Sequence, residues 1–124
     1  MKYDLEERTL KFSKDCIDIC KSLKKDEINK VFIPQLLKAV SSVGANYREA
    51  NDTITKKDFA HKIGICRREA KESKYWYELV KYANQHLTDK IDPLIDESLQ
   101  LARIFAAISG NKKKRNIDIK ENIE

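Results

Sequence analysis

Helix breakers are almost missing from this chain, and that limits its fold more than any other feature. Three glycines and two prolines are spread over 124 residues. A β-fold of this length needs many turns and would use far more of both. Apolar residues recur instead at three- and four-residue steps, the spacing that draws one stripe along a helix.

Four such stripes can be traced. Leu5, Phe12, Cys16, Ile19, Cys20 and Leu23 predict a first helix over about 4–24. Ile33, Leu36, Leu37, Val40, Val43, Gly44 and Tyr47 form one face of a second, over about 30–51, with Pro34 in its first turn, where a missing N–H is harmless. The third and longest, about 55–87, opens on Thr55 as N-cap with Asp58 in the place of a capping-box glutamate. Its inner stripe is Phe59, Ile63, Cys66, Ala70, Ser73, Tyr77 and Val80. Ile65, Trp76, Leu79 and Ala83 widen it, which predicts more than one neighbour. Asp92-Pro93 reads as N-cap and first residue of the fourth helix, and Gly110 as its stop.

Four amphipathic helices on short links predict an all-α, antiparallel up-down-up-down four-helix bundle. It occupies residues 1–110 as a single domain, and 111–124 forms a basic tail, disordered or ordered only on a partner. The chain holds no internal repeat.

A net charge of +5 and a pI near 9.0 favour polyanionic partners. Cys16, Cys20 and Cys66 are odd in number, contain no C-x-x-C pair and sit on apolar stripes. They read as buried thiols in a reducing compartment. Residues 1–24 are charged throughout, so no signal peptide is predicted, and no apolar run reaches the roughly 20 residues of a membrane span. The expectation is a soluble cytoplasmic protein with no membrane partner.

Chemistry is hard to find. The chain lacks a glycine-rich phosphate loop, the H-E-x-x-H pair and a G-x-S-x-G elbow. It also lacks the E-x-x-H spacing of a di-iron bundle. Its carboxylates scatter over solvent faces. Cys16, Cys20, Cys66 and His61 do not make a zinc pattern, and His86, near the end of helix three, suits a helix-dipole role. No catalytic residue, metal or cofactor is predicted, and the protein is not read as an enzyme.

Three surfaces remain. On helix three, Lys57, Gly64, Arg68, Lys71, Tyr75 and Tyr82 share one outer face at helical steps, flanked by Arg67 and Lys74. Cations can hold phosphates there and the tyrosines can stack on unpaired bases. The plainer alternative is a solvated face partly neutralised by Glu69, Glu72 and Glu78. On helix two, Ser42, Ala45, Asn46 and Glu49 form a small-residue face opposite the apolar one, suited to a subunit seam. The run Lys112 to Arg115 can bind phosphate without specificity or simply be solvated.

Three segments together carry a resemblance. They are Ser42-Val43-Gly44-Ala45-Asn46-Tyr47-Arg48-Glu49-Ala50, Lys56-Lys57-Asp58-Phe59 and Lys71-Glu72-Ser73-Lys74-Tyr75-Trp76-Tyr77-Glu78-Leu79. With the stretch from Leu5 to Leu23, they resemble the bacterial four-helix proteins encoded by intervening sequences in 23S rRNA genes, over about residues 3–110. The resemblance implies a ring-like homopentamer. It also implies kinship with the accessory variability protein of diversity-generating retroelements, a basic pentameric bundle that binds nucleic acid. It carries no catalytic residue and assigns nothing to the tail. The reading that follows is a non-enzymatic oligomeric scaffold for nucleic acid, with structured RNA placed ahead of DNA. The alternative is a protein-interaction module that docks a partner around Ile65, Trp76 and Leu79.

Overall fold

Side-chain caps set where three of the helices begin. The computed structural model describes residues 4–123, with side chains through Ser109. Helix α1 spans Leu5–Ser22, α2 Glu27–Asn51, α3 Lys56–Ala83 and α4 Thr88–Ile123, with a 3₁₀ turn at Gln85–Leu87. The Asp4 carboxylate accepts from the Glu6 and Glu7 amides, Asp26 from Asn29 and the Thr55 hydroxyl from Asp58. Each satisfies N–H groups that a helix start would otherwise leave without partners.

Both prolines lie deeper in their helices than the sequence predicts. The Asp26 cap starts α2 before Ile28, so Pro34 falls beyond the first turn. Helix α4 begins at Thr88, so Asp92-Pro93 is inside it and is not its cap. A proline removes the hydrogen bond to the carbonyl four residues earlier. Here those carbonyls belong to Lys30 and Asp89, both exposed, where water can replace the lost donor. Helix α3 stops at Ala83 because Asn84 leaves helical geometry and the 3₁₀ turn follows. Gly110 does not stop α4, whose bounds run past it to Ile123. The side chains of the tail, including Lys112 to Arg115, lie outside the described residues.

Helix α1 packs on α2 and α4, and α3 packs on the same two. Paired ends give the directions. Asn29 at the start of α2 bonds Asn84 just past α3, while Glu49 at the other end of α2 meets Lys62 early in α3. Asn51 reaches Glu6 across α2 and α1, and Lys81 late in α3 pairs with Asp92 early in α4. Diagonal helices meet only through side chains, with Phe12 against Tyr77 at 6.1 Å and Tyr47 against Phe105 at 5.8 Å between ring centroids. Arg8 and Glu97 close the ring with a two-pronged ion pair at 2.5 and 2.6 Å.

The core holds Phe12, Leu36, Ile63, Tyr77, Ile91, Leu101 and Phe105, all almost wholly buried. The Tyr77 hydroxyl is buried against the Cys16 thiol without a hydrogen bond of normal geometry, and burial pushes its pKa up. Cys66 is buried as well, and desolvation pushes its thiol up to about 12. It therefore stays protonated at neutral pH.

Gly44 and Gly64 do different jobs inside their helices. A Cβ at Gly44 would stand 3.0 Å from Thr9 Oγ1 and 3.2 Å from Thr9 Cβ, so Gly44 lets α1 approach α2 closely. A Cβ at Gly64 meets nothing within 4 Å. Exposed glycine inside a helix costs about 1 kcal/mol relative to alanine. Gly64→Ala is expected to raise unfolding stability by about that amount in urea titration, whereas Gly44→Ala gains less or loses, because it must push Thr9 aside.

Candidate nucleic-acid interface

The two flanks of α3 meet different neighbours. Toward α2 the helix presents Glu69. Glu69 lies near Lys38 of α2, and its pKa is raised first by burial and then by Glu72. Toward α4 it presents Lys71, Lys74 and Tyr75, which line a groove of about 280 Å³ with Ser98, Leu99 and Ala102. Helical steps of 100° per residue put Lys57, Arg68, Lys71 and Tyr75 within an arc of about 60° on the outer face, and Arg68 is near enough to Glu69 for its charge to oppose the rise in the Glu69 pKa.

Of the cations predicted from sequence, Lys71 and Lys74 line this groove. Lys57, Arg67, Arg68 and Lys71 are exposed, and among the described residues none of the four is in an ion pair. Lys74 differs, because Glu78 one turn on holds its ammonium. Tyr75 is 55% exposed, its ring edge-on to Trp76, and Tyr82 is 79% exposed. Arg103 adds an exposed cation from the turn of α4 that lines the groove. Stripes read one helix at a time missed it, since the groove exists only where α4 packs against α3.

A second, larger cleft continues from the first, with Glu78 in the wall of both. It measures about 610 Å³ and lies between the last turns of α3 and the first turns of α4. Lys81 and Asp92 pair across it at 2.5 Å.

The small-residue face of α2 points outward, with Ala45 and Glu49 exposed and Ser42 and Asn46 half-buried. Its polar groups are mostly occupied locally. The Ser42 hydroxyl donates to the Lys38 carbonyl, the Asn46 amide to the Ser42 carbonyl, and Glu49 accepts from Lys62 at 2.9 Å. In the alternative docking stripe, Trp76 packs on Phe32 with ring centroids 6.1 Å apart and buries its indole N–H. Much of that ring is thus taken up by the chain's own second helix.

Among the described residues no three His, Cys, Asp or Glu side chains gather closely enough to hold a metal ion. No described helix is long and apolar enough to cross a membrane.

Comparison with known proteins agrees with this architecture. A family model described as 23S rRNA-intervening sequence protein matches residues 1–107. A solved structure from Bacteroides thetaiotaomicron, a protein with unknown function from the S23 ribosomal protein family, superposes with a TM-score of 0.77 at 25% sequence identity. The match covers 86% of this chain and 98% of that one. No curated protein matches significantly.

Proposed function

We propose a nucleic-acid-binding scaffold as the role of this chain, which belongs to the 23S rRNA-intervening sequence protein family. The scaffold is non-enzymatic, works in the cytoplasm and holds structured RNA in preference to DNA. The observation that carries the reading is the set of exposed cations on α3: Lys57, Arg67, Arg68 and Lys71 lie in water and, among the described residues, outside any ion pair. Cations left without carboxylate partners on one helix draw a polyanion to that helix. Oligomerisation through the outward face of Ser42, Ala45, Asn46 and Glu49 would repeat the basic surface by symmetry, and kinship suggests a pentamer.

Binding of a labelled structured RNA across a salt series tests the reading. With four phosphate contacts per chain, log K is expected to fall against log salt with a slope of about −3. Light scattering on the same samples gives the oligomer mass. Affinity that ignores salt, or no affinity at low salt, removes the electrostatic basis.

A further inference from the structure

We propose that the larger α3–α4 cleft is a pocket for an unpaired nucleobase, so that the basic face holds a single-stranded segment with one base inserted. This rests on the nucleic-acid reading above and adds the form of the ligand. At about 610 Å³ the cleft lies in the size range of small-molecule sites. Tyr82 forms one wall with 79% of its surface in water, although nothing in the fold needs an aromatic ring there. Ile95 supplies apolar lining. An exposed ring in a cleft with apolar lining is a platform on which a base can stack.

The polar groups select what enters. Glu78 and Asp92 line the cleft, each matched by a lysine on the protein itself, Lys74 and Lys81. The charge inside is therefore already balanced, and a phosphate entering would face two carboxylates. A neutral base would not be repelled. The spare carboxylate lone pairs and the Gln85 amide can accept from its N–H groups. The Thr88 hydroxyl already donates to the Gln85 carbonyl at 2.7 Å and is left as an acceptor. A site rich in acceptors favours bases with an exocyclic amino group over uracil.

Phosphates have their own place next door. The adjoining groove carries Lys71 and Tyr75, and it meets the cleft at Glu78. Tyr75 and Tyr82 are seven residues apart on one helix, about 10 Å at 1.5 Å rise per residue. That is about three base steps at 3.4 Å. In a duplex the base edges are paired and the faces stacked, so this cleft could not be filled.

The test uses the full chain with a single-stranded oligoadenylate carrying one 2-aminopurine, and with the same strand annealed to its complement. The expected result is tighter binding of the single strand, with a change in 2-aminopurine fluorescence on binding. Tyr82→Ala is expected to lose roughly tenfold in affinity and most of the fluorescence change while keeping the salt slope, and Tyr82→Phe to retain both. Tyr82 is exposed, so neither variant disturbs the core. Equal binding of duplex and single strand, or an unchanged signal in Tyr82→Ala, overturns the base pocket while salt-sensitive binding leaves the scaffold reading standing. Failure of both oligonucleotides to bind at low salt overturns both readings.

Discussion

Replacing Arg68 and Lys71 together by glutamate is expected to cut nucleic-acid affinity by about 100-fold at low salt and to leave the helix content unchanged. Two phosphate contacts are lost, which alone should reduce the salt slope by about 1.4 for a single strand. The two new carboxylates also repel the backbone from the face that Lys57 and Arg67 still serve. Both positions are exposed and outside ion pairs, so the fold does not depend on either side chain. Circular dichroism and urea unfolding of the variant establish that point. A control comes from the same helix: Glu69→Gln, on the flank near Lys38 of α2, should not weaken binding. A charge-reversed protein that binds as well as its parent would mean that the face is only solvated. Surviving salt-dependent affinity would point to another cationic surface.

The four helices were legible because each carries one apolar stripe, and the stripes match the buried residues closely. On α3, Ile63, Cys66, Ala70, Ser73, Tyr77 and Val80 are all buried as the spacing predicts. The starts of α2 and α4 were not legible, because proline at a first helical position is a statistical preference and not a requirement. Pro34 and Pro93 fit inside their helices, since the residues whose carbonyls lose a donor, Lys30 and Asp89, are exposed and water can replace it.

The candidate site divides in the same way. Cations and tyrosines on α3 could be placed on one face from the sequence, because they belong to one helix. The cleft could not, because Tyr82 and Gln85 meet Thr88, Asp92 and Ile95 only after the chain turns at Asn84. Nor did spacing show that Lys74 is engaged by Glu78 while Lys71 is left exposed. Two buried asparagines were equally hidden, since their role depends on partners 55 residues apart.

Those asparagines carry the second large expectation: Asn29→Leu should cost about 3 kcal/mol of folding stability. Asn29 and Asn84 are 1% and 4% exposed and bond each other reciprocally at 3.1 and 2.9 Å. Asn29 also donates to the Lys24 carbonyl and Asn84 to the Val80 carbonyl, both at 2.8 Å. The pair thus ties the link before α2 to the turn after α3, where both chains leave helical geometry and have backbone groups to satisfy. Removing Asn29 leaves the buried Asn84 carbonyl oxygen and the Lys24 carbonyl without their donors, at about 1–3 kcal/mol per orphaned group. Replacing both residues by leucine removes the orphaned side-chain amide with the pair, so the double variant should lose about 1–2 kcal/mol less than the two single losses added together. Urea midpoints for the four proteins of that cycle give the coupling directly, and strict additivity would show that the amides do not support each other. The same cycle reaches the cleft. Asn84 anchors the turn that carries Gln85 and Thr88 into its wall, so Asn29→Leu should also weaken the 2-aminopurine response under conditions where the protein is still folded. Phosphate contacts through Arg68 and Lys71, set on the rigid middle of α3, should be unaffected.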